Sequence, residues 1–300
     1  MRFYIVDAFT ETIFGGNPAG IVLLENGADF PDDEIMLKTA AELRYSESAF
    51  IKPLPNQELH IRYFTPVSEV NFCGHATIAT FAALLKSGFV KNDHVYPIHT
   101  RAGVLNIEIA DDFVLMEMPE AKLIKDDFTS AEINALYQSL GIEYKPVHAV
   151  IDGETSVALL PQLISAGFDD IFMPVESREA LAAISPDYKA LSDLTKKHGA
   201  GGVHAFTLDT PGNDVIACTR NFAPLVGIDE EPATGTGSGG LAYYLYCHGI
   251  SLGENNCCFL QGESMGRPSK IFFPLRAHPD FFEIKVGGKG AVLAEGEIYL

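Results

Sequence analysis

Positive charge is scarce in this chain of 300 residues. It has 21 Lys and Arg against 40 Asp and Glu, a formal net charge of −19 at pH 7. Such a balance repels phosphate backbones and anionic lipid, which argues against nucleic acid or membrane partners and favours a small-molecule ligand. Long apolar runs are missing as well, and none reaches the roughly 18 residues that a membrane-spanning helix needs. The N-terminus turns polar too soon for a signal peptide. The sequence therefore predicts a soluble, cytoplasmic protein.

Cysteine is sparse too, and its placement excludes a disulfide framework. The count is odd, no CxxC spacing occurs and two are adjacent; the five are Cys73, Cys218, Cys247, Cys257 and Cys258. Reduced thiols fit this pattern best. The nearest pair of histidines, His94 and His99, matches no standard helical ligand spacing, and no second cluster completes four ligands. We therefore expect no metal.

What the sequence does contain is one motif twice, with copies 158 residues apart. The copies are Arg62-Tyr63-Phe64-Thr65-Pro66 before Gly74-His75-Ala76-Thr77, and Arg220-Asn221-Phe222-Ala223-Pro224 before Gly235-Thr236-Gly237-Ser238. A repeat this long indicates two similar lobes, because solenoid periods fall near 20 to 50 residues. Each copy places a glycine-rich turn at a helix start, where unpaired backbone N–H groups and the positive dipole end lie. If the lobes face each other, the two helix starts converge on one cleft.

Periodicity predicts an α+β protein, and the repeat predicts two similar lobes, each with a buried helix that strands surround. In the first half we predict strands over residues 2–9, 20–24, 48–51, 59–64, 104–109 and 114–118 and helices over 32–43 and 74–86. In the second half we predict helices over 130–140, 178–184, 188–197 and 239–246 and strands over 149–160, 204–208, 215–219 and 271–274. Because the helices at 74–86 and 239–246 are apolar nearly all round, they should be buried. The lobes are predicted to be 1–118 with the last strand at about 290–300, and 119–289.

Six motifs, in order along the chain, resemble the PhzF family of phenazine-biosynthesis-like isomerases. They are Gly16-Asn17-Pro18-Ala19-Gly20, Ser46-Glu47-Ser48, the run from Phe64 to Thr77, the run from Arg220 to Pro224, Glu231-Pro232-Ala233-Thr234-Gly235-Thr236, and Gln261-Gly262 with Gly266-Arg267-Pro268-Ser269. The resemblance implies the diaminopimelate-epimerase-like fold, an α+β architecture of two pseudo-symmetric lobes, each a β-sheet or barrel wrapped around a central helix. It also implies a cofactor-independent isomerase of a small carboxylate-bearing metabolite, usually a homodimer.

Carried over residue by residue, the resemblance assigns general acid/base catalysis to Glu47. A carboxyl in a desolvated cleft can exchange a proton with carbon near neutral pH. His75 would lie in the first turn of a helix, where the positive dipole end disfavours imidazolium and leaves a neutral ring to orient a substrate or relay a proton. Glu231 completes the predicted catalytic set, and it is a departure, since the family usually has Asp there. The extra methylene moves the carboxylate by about 1.5 Å.

The turn residues are expected to bind rather than react. The predicted substrate-binding set is Asn17, Gly74, Ala76, Gly235, Thr236 and Gly237. Backbone amides at the two helix starts could hold a carboxylate or a developing enolate oxygen. Thr236 stands where the family usually has Ser and adds a methyl group that restricts the pocket. Because of these departures, either the pocket differs in shape from that of the family or the substrate differs from the family's original one.

A dinucleotide site is the first alternative. Gly235, Gly237 and Gly240 spell GxGxxG, and Glu254 follows at about the spacing of a ribose-binding acid. The preceding acidic segment 229–232 is not a buried strand, however, and its charge would oppose a pyrophosphate. This context disfavours the interpretation.

Two further alternatives concern the same predicted fold. Racemases that share it use two thiols, one before each helix-start glycine; here Cys73 occupies the first place and Thr234 the second. A threonine hydroxyl is too weak an acid or base for that role, so we interpret Cys73 as a small buried hydrophobe. The last alternative is a catalytically inactive metabolite-binding protein, because a fold does not establish activity.

Overall fold

The computed structural model describes residues 1–151, 153–252, 258–278 and 281–300, apart from the side chains of 275–278 and 281–283. The helices described are α1 Asp33–Leu43, α2 Gly74–Lys86, α3 Ser130–Ser139, α4 Arg178–Ala182, α5 Tyr188–His198 and α6 Gly235–Cys247. Among the helices of these ranges, none is long and apolar enough to cross a membrane.

The strands described follow in chain order. They are β1 Arg2–Ala8, β2 Asn17–Leu23, β3 Ser48–Pro53, β4 Leu59–Phe64, β5 Glu69–Val70, β6 His94–Thr100, β7 Gly103–Ala110, β8 Phe113–Glu117, β9 Lys122–Lys125, β10 Val147–Ile151, β11 Thr155–Leu159, β12 Gln162–Ser165, β13 Asp169–Pro174, β14 Gly202–Thr207, β15 Val215–Ala223, β16 Ile228–Glu231, β17 Cys258–Gln261, β18 Ser269–Phe272, β19 Leu275–His278, β20 Phe281–Gly288 and β21 Gly290–Glu297. The chain divides into two compact units, Met1–Glu117 with Gly287–Leu300, and Met118–Val286.

The first unit is a sheet that packs on a central helix. β1 pairs antiparallel with β2 and β21, β2 pairs parallel with β3, and β3 pairs antiparallel with β4. α2 packs against β1, β2, β3, β8 and β21. Ten of its 13 residues are buried, as its all-round apolar sequence predicts. This burial fixes the start of α2 under the sheet.

The second unit repeats the plan. β13 pairs parallel with β14, and β14 pairs antiparallel with β15. The buried helix α6 packs against β12 and β13. Gly240 allows this close approach, because a Cβ atom there would lie 2.4 Å from the Phe172 ring. The helices α3, α4 and α5 contribute to a further core cluster, which includes Leu136, Leu181 and Leu191.

The repeated arginine makes the same contacts in both units. The guanidinium of Arg62 binds the Glu69 carboxylate through Nε and Nη2 at 2.8 and 2.7 Å, and Arg220 binds Glu230 in the same manner at 2.8 and 2.8 Å. Each guanidinium also lies over the ring of the phenylalanine two residues further on. Paired, planar hydrogen bonds of this kind hold a guanidinium in one orientation. The first part of the motif is therefore structural.

Two sequence predictions need correction. The single strand predicted at 149–160 is wrong, because a turn at 153–154 divides this segment into β10 and β11. The helix predicted at 239–246 begins earlier, at Gly235. The acidic segment that ends at Glu231 forms the strand β16, none of whose residues is buried, so the prediction that it is not a buried strand is confirmed. Glu254 lies outside the described residues, so the predicted ribose-binding acid has no structural account.

Candidate active site

Glu47 lies where the chain leaves α1 and enters β3. α1 ends at Leu43, and the next residue, Arg44, caps it: its φ of 60° and ψ of 18° lie in the left-handed region, and its N–H donates to the Ala40 carbonyl. A bend at residues 45–46 follows, and Glu47 directly precedes the first residue of β3. β2 is the parallel neighbour of β3, so its first residue, Asn17, lies at the same end of the sheet. Asn17 is buried there, paired in register with Ala8.

The start of α2 is held by a short hydroxyl chain. The Thr77 hydroxyl donates to the Cys73 carbonyl at 2.7 Å, and the Tyr63 hydroxyl lies 2.7 Å from the Thr77 oxygen. Because Thr77 uses its proton on Cys73, the Tyr63 hydroxyl is the donor of the second bond. The side chain of the N-cap residue, Cys73, makes no capping hydrogen bond to the first turn of α2. The backbone N–H groups and the positive dipole end of a helix start suit an anion.

Glu47 and His75 form the central pair of the first unit. Their Oε2 and Nε2 atoms are 3.4 Å apart, and the side chains are 15% and 4% exposed. Burial lowers the pKa of His75, and the Glu47 carboxylate offsets this effect in part. The imidazole is thus neutral near pH 7, and its two ring nitrogens have different roles, one a donor and the other an acceptor.

Two more side chains contact the same imidazole. The Ser46 hydroxyl oxygen lies 3.3 Å from Nε2, and the Cys73 sulfur lies 3.4 Å from Nδ1 and 3.9 Å from Nε2. Cys73 is buried, as expected, although it faces a histidine rather than an apolar core. With the proton on Nε2, His75 donates toward Glu47 while Nδ1 accepts from the thiol; we assign this tautomer from the contacts. Sequence reasoning missed Ser46 as a neighbour of His75, although it adjoins Glu47 in a recognised motif.

Glu231 belongs to a polar cluster of the second unit, at the start of α6. The Thr234 hydroxyl donates to Glu231 Oε2 at 2.8 Å. Gln261 binds both residues, since its Nε2 donates to the Glu231 carbonyl at 2.7 Å and to the Thr234 hydroxyl at 3.1 Å. The Thr234 N–H donates to Gln261 Oε1 at 3.2 Å. Thr234, which stands in the place of a second thiol, is thus fully engaged in orienting the Glu231 carboxylate.

The residues that follow form the first turn of α6. Gly235 and Thr236 are half-buried, and Gly237 is buried. Gly237 packs directly on an imidazole of β14: a Cβ atom there would lie 2.5 Å from His204 Nδ1. Only glycine allows this approach. Gln261 belongs to one of the recognised motifs but was not predicted as a site residue. Only the fold brings it to Glu231.

The structure therefore gathers the predicted site residues in two groups. Glu47 and His75 meet in the first unit, at the start of α2 that includes Gly74 and Ala76, and Asn17 lies at the same end of the sheet. The second group surrounds the start of α6 and comprises Glu231, Gly235, Thr236 and Gly237. Within the described residues of each unit, an acidic side chain accompanies a helix start.

Comparisons with known proteins identify the family of this chain. The sequence profile of PhzC-PhzF, the phenazine biosynthesis-like protein family, matches residues 6–296. A protein of Clostridium acetobutylicum named as an uncharacterized isomerase is 31% identical over 100% of this chain and 98% of its own length. The trans-2,3-dihydro-3-hydroxyanthranilate isomerase of Pseudomonas aeruginosa is 29% identical over 100% of this chain and 99% of its own length.

Solved structures match the fold. A PhzF-family phenazine biosynthesis protein of Bacillus anthracis has a TM-score of 0.84 at 24% identity, covering 100% of this chain and 99% of that one. A probable proline racemase of Agrobacterium radiobacter has a TM-score of 0.59 at 14% identity, covering 100% and 93%. The fold is therefore diaminopimelate-epimerase-like, and the class of protein is an isomerase. The chain belongs to the phenazine-biosynthesis-like PhzC-PhzF family.

Proposed function

We propose that this protein is a cofactor-independent isomerase that moves a proton on a small carboxylate-bearing metabolite. Glu47 takes the proton from one carbon and returns it to another. His75 and Glu231 position the substrate or tune the acid/base group. The binding residues Asn17, Gly74, Ala76, Gly235, Thr236 and Gly237 belong to the same proposal, as they did at the level of sequence.

The contact between Glu47 and His75 carries the proposal. Their atoms are 3.4 Å apart, and both side chains are largely withdrawn from water. A carboxylate beside a neutral imidazole, withdrawn from water, is able to accept a proton and release it again. His75 is able to hold the carboxylate in place without a permanent ion pair, because burial disfavours its charged form.

The substrate class follows from the start of α2 and from the named relatives. The start of α2, with its backbone N–H groups and positive dipole end, is suited to a carboxylate group of the ligand. The Pseudomonas aeruginosa relative is named for trans-2,3-dihydro-3-hydroxyanthranilate, a cyclic unsaturated carboxylate. We propose a substrate of this kind, a small unsaturated or cyclic carboxylate with an acidic C–H bond. Glu231 in the place of the usual Asp indicates that its other substituents differ.

Proton NMR in deuterated water tests the proposal. We expect the wild-type protein to incorporate deuterium at carbon in trans-2,3-dihydro-3-hydroxyanthranilate or in a related unsaturated acid. Glu47→Gln should bind the same compound and lose the exchange. Glu42→Gln is the matched control, because Glu42 lies on the exposed surface of α1 five residues before. Undiminished exchange by Glu47→Gln would refute the assignment.

One observation favours a second candidate, thiol-based racemisation. The sulfur of Cys73 lies 3.4 Å from His75 Nδ1, a distance at which the imidazole could accept the thiol proton. Thr234 argues against the two-thiol form of this mechanism, because its hydroxyl donates to Glu231. If Cys73→Ala abolished exchange while Glu47→Gln retained it, this second candidate would replace the first. Binding without exchange in the wild-type protein would instead favour the inactive binding protein.

A further inference from the structure

Gln261 is a buried amide at the end of β17, beside the start of α6. Its side chain is 0% exposed, and the parallel pairing of β17 with β15 places it opposite Thr219. Gly262 follows with a φ of 80°, and a Cβ atom there would lie 2.7 Å from the Pro232 carbonyl oxygen. Only glycine allows so close an approach, so the pair Gln261-Gly262 brings this amide against the segment 231–234. The proposed function assigns the amide no role.

Two backbone groups fix the orientation of the Gln261 amide. Its Oε1 accepts from the Thr234 N–H at 3.2 Å, and its Nε2 donates to the Glu231 carbonyl at 2.7 Å. A backbone N–H can only donate and a carbonyl can only accept, so exchanging the oxygen and nitrogen of the amide would break both bonds. The second proton of Nε2 is therefore available to the Thr234 hydroxyl oxygen, which lies 3.1 Å away.

The fixed amide in turn sets the direction of the Thr234 hydroxyl. A hydroxyl has one proton, and the NH₂ group of Gln261 cannot accept it. The Thr234 proton is thus donated to Glu231 Oε2, at 2.8 Å. A hydrogen bond to the charged form of a carboxyl group favours that form. The donated bonds run in one direction, from Gln261 through Thr234 to Glu231, and they end on a carboxylate.

We propose that Gln261 is a positioning residue, which acts through Thr234 to hold Glu231 as an ionised hydrogen-bond acceptor. The inference rests on the proposed function, in which Glu231 positions the substrate or tunes the acid/base group, and it narrows that role. Glu231 accepts hydrogen bonds and does not supply the proton that moves. A ligand group that contacts its carboxylate has to be a hydrogen-bond donor.

The first test is the pH titration of Glu231 in the ligand-free, full-length protein. NMR of protein labelled with ¹³C-carboxyl glutamate follows the titration, and Glu231→Gln identifies the signal by its loss. Thr234→Val removes the hydroxyl, and Gln261→Glu replaces the donor NH₂ by an acceptor. Both variants should move the titration of Glu231 to higher pH by about one pH unit, because a hydrogen bond to a charged group is worth about that much. In Gln261→Glu, the acidic neighbour adds to the effect.

Two control variants should leave the titration in place. Thr234→Ser keeps the hydroxyl group that donates to Glu231. Gln138→Glu makes the same chemical change as Gln261→Glu, but on the exposed surface of α3 in the same unit. Circular dichroism checks that each variant folds. If Gln261→Glu does not fold, the uncharged Gln261→Met takes its place, with a shift in the same direction expected.

The second test is deuterium exchange into trans-2,3-dihydro-3-hydroxyanthranilate. Gln261→Glu and Thr234→Val should each lower the exchange rate by on the order of 100-fold, since the Glu231 carboxylate is no longer held in place. The acidic limb of the pH profile should also move to higher pH. The double variant should lose little more than either single variant, because both changes break the same chain of bonds. Thr234→Ser should retain most of the rate.

Three results would overturn the inference. They are an unchanged titration of Glu231 in Gln261→Glu, an exchange rate in that variant equal to that of Gln138→Glu, and fully additive losses in the double variant, which would make Gln261 a structural support only. The titration does not depend on turnover. Exchange that persists in Glu47→Gln would therefore end the proposed function, while the titration alone would still decide whether Gln261 holds Glu231 ionised.

Discussion

A buried aspartate in the second unit should make the stability of the protein depend on pH. Asp170, on β13, is 1% exposed, and neither of its carboxyl oxygens has a hydrogen-bond partner among the described residues. Burial raises its pKa from an ordinary 3.8 to about 7, an effect that nearby Asn221 reduces in part. The neighbouring His204 is also fully buried, and burial lowers its pKa to about 3. The folded protein therefore keeps Asp170 protonated, and both groups uncharged, in mildly acidic solution.

The raised pKa destabilises the folded state as pH increases. Between about pH 4 and about pH 7 the unfolded chain has released the Asp170 proton while the folded chain still binds it, so the free energy of unfolding falls with pH. Each pKa unit is worth about 1.36 kcal/mol, and the difference of about three units amounts to roughly 4 kcal/mol. Asp170→Asn keeps the neutral shape and removes the titration. Relative to the wild-type protein, this variant should gain stability steadily across that interval.

Urea unfolding at about pH 4.5 and about pH 8, followed by circular dichroism, measures the effect. We expect the stability difference between Asp170→Asn and wild type to change by about 3 kcal/mol in favour of the variant at the higher pH, because about 1 kcal/mol of the effect is already present at pH 4.5. Asp169→Asn is the matched control: the adjacent Asp169 is exposed and is only the smallest contributor to the Asp170 pKa, so its replacement should show a much smaller change with pH. A difference that stays constant with pH would refute the reasoning, whatever its size.

Three other substitutions test single contacts. Thr129→Ala removes the capping box that Thr129 forms with Glu132 at the start of α3. Urea unfolding should show a loss of about 1 kcal/mol in the free energy of unfolding. An unchanged free energy would mean that the cap does not stabilise the protein. Gly237→Ala forces a methyl group against His204 and should cost about 1 to 3 kcal/mol by the same measurement, so wild-type stability would contradict the packing argument. Glu231→Asp should lower the rate of deuterium exchange by on the order of 100-fold, because the shorter side chain moves the carboxylate away from the Thr234 hydroxyl. A faster rate would show that the site does not require the longer side chain.

The sequence predicts helices and strands well where proline and glycine mark their ends. The bounds of β4 and α2 agree with the predicted 59–64 and 74–86, because proline and glycine flank clear periodic patterns. β6 escaped prediction since Pro97 interrupts it, and proline argues against a strand. β12 and β13 are short, and their pairing with β9 and β14 depends on residues distant in sequence. Strands of this kind are defined by their partners rather than by their own pattern.

The candidate site, too, could be predicted only in part. Motifs identified Glu47 and His75, and the structure brings them together at 3.4 Å. Their distance could not be predicted, because Glu47 and His75 are 28 residues apart and meet only when α2 packs under the sheet. The contacts of Cys73 and of Gln261 were not predicted for the same reason. A cysteine side chain has the same sequence context whether it faces an imidazole or an apolar core.

Homodimerisation stays a prediction, and it rests on the family resemblance alone. Light scattering coupled to size-exclusion chromatography measures it directly. A mass near twice 32.6 kDa would support it, and a mass near 32.6 kDa at all concentrations would contradict it. Absence of tightly bound nucleotide or flavin in the purified protein is likewise expected for a cofactor-independent enzyme, and a stoichiometric chromophore would contradict that prediction.

The most direct measurement for the central claim is the rate of deuterium incorporation from solvent into a bound unsaturated carboxylate, compared between Glu47→Gln and Glu42→Gln. The account predicts full exchange in the Glu42 variant and loss by on the order of 100-fold or more in the Glu47 variant, with ligand affinity retained in both. Equal exchange rates in the two variants would contradict it.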